Sequence, residues 1–151
     1  QYMQIDENLC MKFPEVLKQK LLKREIELPD LVQIEYEPIL TYRAVQRNED
    51  DYSPITREDF KSYFELGKTP KKRPRGTSED FLSDPHYYGV SSFMNKELVE
   101  MKMKFPNPKK KMASGYVHME GGPQETKLEN GHVCWWLYKE ADVSGFKLEK
   151  E

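Results

Sequence analysis

The chain has 151 residues, of which 37% are hydrophobic, 33% charged and 12% aromatic. Lys and Arg total 24 against 26 Asp and Glu, so the formal net charge is −2, which excludes a binder of polyanions by bulk charge and an acidic solvating tail. The length suits one domain with its own core, and the 2 Trp, 9 Tyr and 7 Phe are too many for simple disorder despite a mean hydropathy of −0.86.

Along the chain, Phe13–Glu25 is expected as a helix: Pro14 suits a first turn, and Val16, Leu17 and Leu21 recur at helical spacing before Pro29 ends the pattern. Glu35–Arg47 reads as extended, with Ile39, Thr41, Arg43 and Val45 on one face, Leu40, Tyr42 and Ala44 on the other, and Pro38 as a divider. Thr56 and Asp59 form a capping box for a second helix that would carry Phe60, Tyr63 and Phe64 as an aromatic stripe and end at Gly67. Residues 68–84 are expected as an exposed, flexible loop. Lys68, Lys71, Lys72, Arg73 and Arg75 make its first half strongly basic.

Tyr87–Met94 is a strand candidate, and Asn95 can cap a short helix bearing Leu98, Val99, Met101 and Met103, stopped by Pro106 and Pro108. Lys109–Lys111 form a second basic cluster. Gly115–Met119 reads as a strand, 120–123 as a turn, His132–Tyr138 as the strongest strand of the chain, and Phe146–Leu148 as a last one after a turn at Asp142–Gly145. These elements predict a single α+β domain over 1–151, with a mostly antiparallel sheet and about three short helices.

No run approaches the roughly 18 apolar residues that cross a bilayer, and residues 1–12 have neither the basic nor the apolar part of a signal peptide, although the first residue is Gln rather than Met, so a leader lost upstream stays open. Cys10 and Cys134 form no disulfide framework, and two reduced thiols in a cytoplasmic protein is the expectation. His86, His118 and His132 are widely separated with no zinc-type spacing, so no metal is expected. No nucleophile elbow, phosphate loop or dinucleotide fingerprint occurs. Cys134 lies within the most hydrophobic strand, where a thiol is ordinarily inert.

Two surfaces remain as candidates. Trp135 and Trp136 point to opposite faces of their strand, so one can fill the core while the other, beside His132, anchors a partner. Lys71, Lys72, Arg73 and Arg75 would steer an acidic partner. The leading expectation is therefore a macromolecule-binding module with a protein partner, no membrane association and no cofactor. Nucleic-acid binding through the basic loop is a further alternative, though the loop lacks the interleaved aromatics of single-strand binders.

One constellation points to chemistry instead. Arg43 on an early strand, Ser91-Ser92 on a middle strand and a later Glu at a strand end (Glu120 or Glu125) resemble the order of parts in ADP-ribosyltransferase folds. The resemblance covers only these short pieces and implies an NAD-using enzyme in which Arg43 grips the cofactor phosphates, Ser91 orders the pocket and Glu120 holds the ribose. Two departures stand against it: residue 118 is His where a paired Glu would stand, and no Thr separates the serines.

Overall fold

The computed structural model describes residues 6–69 and 80–149. Among these residues six strands form one antiparallel sheet: β1 (Ile39–Gln46), β2 (Val90–Phe93), β3 (Lys110–Val117), β4 (Gln124–Lys127), β5 (His132–Trp135) and β6 (Lys147–Leu148), in the order β4-β5-β2-β1-β3-β6. Helices α1 (Glu7–Cys10), α2 (Glu15–Leu22), α3 (Tyr63–Leu66) and α4 (Lys96–Lys102) are short, and the fold is α+β as the sequence predicts.

The sheet is packed on both faces, and the alternation along 133–138, of which β5 covers only the first part before pairing ends at Trp135, shows why. Val133, Trp135 and Leu137 join Val45, Phe60, Val90, Val117, Val143 and Phe146 on one side. Cys134, Trp136 and Tyr138 join Phe13, Leu17, Leu28, Val32, Tyr87 and Tyr88 on the other. Side chains of successive strand residues point to opposite faces, so a strand covered on both sides reads as a continuous apolar run rather than an alternating one. That accounts for the HVCWWLY stretch.

Several helix boundaries differ from expectation for local reasons. α2 stops at Leu22 because Arg24 adopts a left-handed conformation (φ 58°), with Arg24 N–H donating to the Leu21 carbonyl and Glu25 N–H to that of Lys20. α4 ends the same way: Lys104 has φ 58° and Phe105 N–H donates to the Glu100 carbonyl. Both are Schellman-type stops formed before any proline is reached.

The expected aromatic-stripe helix is two turns instead. The Thr56–Asp59 capping box forms, but it opens only a 3₁₀ turn, and a second box, Ser62–Glu65, starts α3 afresh. Phe60 and Phe64 consequently reach opposite cores rather than one face. Gly67 ends α3 in the left-handed region (φ 67°), as expected.

The Lys109–Lys111 cluster is in fact the entry to β3. Lys111 is buried, its Nζ donating to the Glu49 carbonyl at 2.9 Å and lying 4.3 Å from the Tyr52 ring centroid. β4 was absent from the expectation because Gln124–Lys127 is wholly polar. It is a strand because β5 pairs with it along its length and Gln33 bridges to Gln124 through both backbone and side chain.

β1 pairs with β3 along its whole length, from Ile39↔Val117 to Gln46↔Lys110, yet meets β2 at the single pair Tyr42↔Phe93. Beyond that pair, β1 and β2 part. The sheet therefore contains a split near its middle, and the chain from Phe60 to Phe64 crosses from one core to the other.

Candidate functional site

A cleft of about 350 Å³ lies at this split, within the size range of small-molecule sites. β1 supplies Tyr42, Arg43 and Ala44; β2 supplies Val90 to Phe93. Lys61, Tyr63 and Leu66 form one wall, Val99, Lys102 and Met103 the other, and His86 and Gly89 complete it. The positively charged or protonatable groups are Arg43, Lys61, Lys102 and His86, and among the described residues no Asp or Glu lines the cleft. Lys102 Nζ lies 5.6 Å from the Phe93 ring centroid, and Lys61 pairs with Glu58 outside the cleft at 2.8 Å.

Arg43 is placed by the split itself. Its Nη1 donates to the Ser91 carbonyl, and its guanidinium lies 5.0 Å from the Phe60 ring centroid. Burial pulls its pKa down to about 10, with Asp59 opposing that effect, so it stays charged at neutral pH. Its Nε and the Ser92 Oγ are buried without a hydrogen-bond partner among the described residues.

Beside the cleft lies a polar chain along one sheet face. Asp84 caps the 3₁₀ turn Pro85–Tyr88, accepting from the His86 backbone N–H, and its carboxylate also meets His86 Nδ1 at 3.0 Å. His86 Nε2 meets the buried Glu125 on β4 at 2.7 Å. The Asp84 hydrogen bond raises the His86 pKa against the opposing effect of burial, with Glu125 adding to the rise. Burial pulls Asp84 upward, but its bonds to His86 outweigh this and hold it below the ordinary carboxylate value.

Next along the same face, His132 Nε2 lies 3.0 Å from Ser91 Oγ. Burial, reinforced by Lys127 and His86, pushes the pKa of His132 down to about 4. A neutral ring is thus set against an exposed serine hydroxyl. Cys134, opposite Ser91 on one side and Glu125 on the other in register, is buried with its thiol pKa pushed up by desolvation, which leaves it inert. Cys10 and Cys134 are both free. Among the described residues no group of three or more His, Cys, Asp or Glu side chains is placed to hold a metal ion.

Arg43 and Ser91, separated by 48 positions, are brought together. Glu120 is not with them: it sits exposed on the turn after β3, 3.5 Å from His118, while Glu125 reaches the cleft's edge through His86. The expectation of a surface tryptophan is corrected. Trp135 is 1% and Trp136 0% exposed, with Nε1 donating to the Gly122 carbonyl (3.2 Å) and the Pro85 carbonyl (2.9 Å) respectively. Trp135 ends β5 and Trp136 follows it, and each ring is covered on its own side of the sheet, so neither lies at the surface. Half-buried His132 faces Ser91, and Lys71, Lys72, Arg73 and Arg75 lie outside the described residues.

Sequence reasoning missed Lys61, His86 and Lys102 as site residues. His86 alone had a local signal, the Asp84-Pro85-His86 cap-and-proline start of a turn. No family profile matches this chain, and no curated protein or solved structure matches it significantly. No helix among the described residues is long and apolar enough to cross a membrane.

Proposed function

We propose that the chain binds an anionic small molecule bearing an aromatic ring, a nucleotide being the class that joins both features, in the cleft at the β1–β2 split. The lining carries this reading: Arg43 and Lys102 have no carboxylate partner on it, Lys61 and His86 add donors already paired to Glu58 and to Asp84 and Glu125, and no Asp or Glu lines the cleft among the described residues, in a chain whose net charge is −2. A concentration of one sign in a partly enclosed, apolar-walled cleft focuses its field on a ligand of the other sign. Tyr42, Tyr63 and Phe93 supply flat apolar surface for a base, and Lys and Arg supply the charge that phosphate recognition uses.

NAD is the leading dinucleotide candidate, because Arg43 and Ser91 share this cleft. On that reading the acidic partner is Glu125, held by His86, rather than the exposed Glu120.

Calorimetric titration with AMP, ADP, NAD and adenosine tests the proposal. One or more of the phosphate-bearing ligands binds, adenosine binds at least tenfold more weakly, and affinity falls as salt is raised. No binding by any of the four overturns the reading and returns a macromolecular partner to the front.

A further inference from the structure

We infer that the split between β1 and β2 is a seat for one phosphate group, formed by the Nε–H of Arg43 and the hydroxyl of Ser92. The inference rests on the cleft being a nucleotide site and specifies which end of the ligand enters the sheet.

The argument starts from the ladder. β1 and β2 are antiparallel and meet at Tyr42↔Phe93, so the next cross-strand position sets Arg43 opposite Ser92. In a regular sheet this position would lie within the backbone ladder. Here the strands have parted, and Arg43 Nη1 takes the Ser91 carbonyl in place of a strand partner. That single bond leaves most of the guanidinium's five donors uncommitted.

The two buried side-chain polar atoms without a partner among the described residues are Arg43 Nε and Ser92 Oγ, and both residues line the cleft. Ser92 is only 5% exposed, so solvent does not serve its hydroxyl freely. Buried polar atoms are otherwise almost always hydrogen-bonded, and leaving them unmade is costly. Two orphans at neighbouring positions in one gap share one remedy, a group that enters between the strands and accepts from both.

The chemistry of the pair selects that group. Arg43 Nε donates only, and the Ser92 hydroxyl can donate alongside it. A cation has no place beside the guanidinium, and an apolar group satisfies neither atom. A phosphate oxygen accepts from both and adds charge-assisted strength. The nearest carboxylate influence, Asp59, is already held by both terminal nitrogens of Arg47, which leaves the Arg43 charge for a ligand.

The test is Ser92→Ala, with AMP and adenosine as probes, measured by titration and by thermal unfolding of the free protein. Removing an orphaned hydroxyl leaves the free protein at least as stable as the parent. AMP affinity falls by about tenfold or more, as expected for a lost hydrogen bond to a charged group, while adenosine affinity is unchanged. Arg43→Lys, which keeps the charge but lacks Nε–H, shows the same selective loss and serves if Ser92→Ala does not fold. Failure of the parent protein to bind AMP, ADP or NAD overturns the nucleotide reading. Binding of AMP by the parent with undiminished affinity in both variants overturns the phosphate seat alone. A drop in stability of Ser92→Ala with unchanged AMP affinity identifies the pair as a water site and also overturns it.

Discussion

Arg43 and Arg47 leave the same stretch of chain four residues apart and meet opposite fates. Arg47 is enclosed by a purpose-built corner: its two terminal nitrogens each lie 2.8 Å from an Asp59 oxygen, and it also donates to the carbonyls of Gln46, Ser53 and Pro54. Arg43 has one carbonyl, the face of Phe60 and an unpartnered Nε. Both belong to the folded architecture, but only one is finished by it. A buried arginine whose donors are all used fixes the position of the 53–59 segment, whereas the half-buried Arg43, with donors to spare at the edge of the cleft, is the group we propose holds the ligand. Burial alone does not separate structure from site; completeness of partnering does.

That contrast makes Arg47→Ala the most damaging change at the two positions. It leaves the half-buried Asp59 carboxylate with only the Thr56 N–H and costs about 2–4 kcal/mol, read as a lower urea midpoint with the unfolding slope retained. Trp135→Ala and Trp136→Ala cost about 3–5 kcal/mol each, because each empties a different core. A tryptophan variant that retains full stability would contradict the two-sided packing of the 133–138 segment.

Arg43→Met sharpens the comparison from the other side. It removes one hydrogen bond and leaves the Ser91 carbonyl to water, a loss of about 1 kcal/mol, yet it abolishes nucleotide binding. A stability loss equal to that of Arg47→Ala would erase the distinction drawn between them.

The polar chain beside the cleft gives a pH signature. The pKa of His86 is raised in the fold, so its contribution is fully present below its unfolded value of about 6.5 and disappears as pH rises through the higher folded value. Asp84 and Asp59 have lowered values, so theirs is present above the ordinary Asp value and disappears as pH falls through the folded one. His132, lowered to about 4, adds to the loss on the acid side. Thermal midpoints therefore decline on both sides of a maximum just below neutrality, and His86→Gln flattens the alkaline limb and, because His86 also holds Asp84 down, weakens the acid limb in part. The smallest structural effect belongs to Lys102→Ala. Lys102 is exposed, so stability stays within about 0.5 kcal/mol, while nucleotide affinity and its salt dependence both drop.

Local chemistry was legible in the sequence. The Thr56–Asp59 box, the Asn95 cap, the Gly67 stop and the face pattern of β1 each depend on residues within a few positions of one another. The fate of the tryptophans was not, because alternation assigns them to opposite faces without saying what covers each. Phe13 and Leu17 cover one face and Phe146 the other, and for Trp136 the covering segment is more than 100 positions away. The same limit applies to the cleft. Arg43 and Ser91 were recognisable as unusual strand residues, but Lys61, His86 and Lys102 join them only through the crossing of the 60–64 segment and the docking of α4 on β1 and β2. Glu125 was missed as a strand residue because β4 carries no apolar alternation and is defined by its partner.

The central claim is that the unfinished side of this comparison is a ligand site. It is tested most directly by calorimetric titration of AMP into the parent protein and into Lys61→Ala/Lys102→Ala, both exchanged into low salt. The account predicts saturable binding to the parent, weakened at least tenfold in the double variant with its thermal midpoint unchanged. Absence of binding to the parent, or equal binding to both proteins, would contradict it.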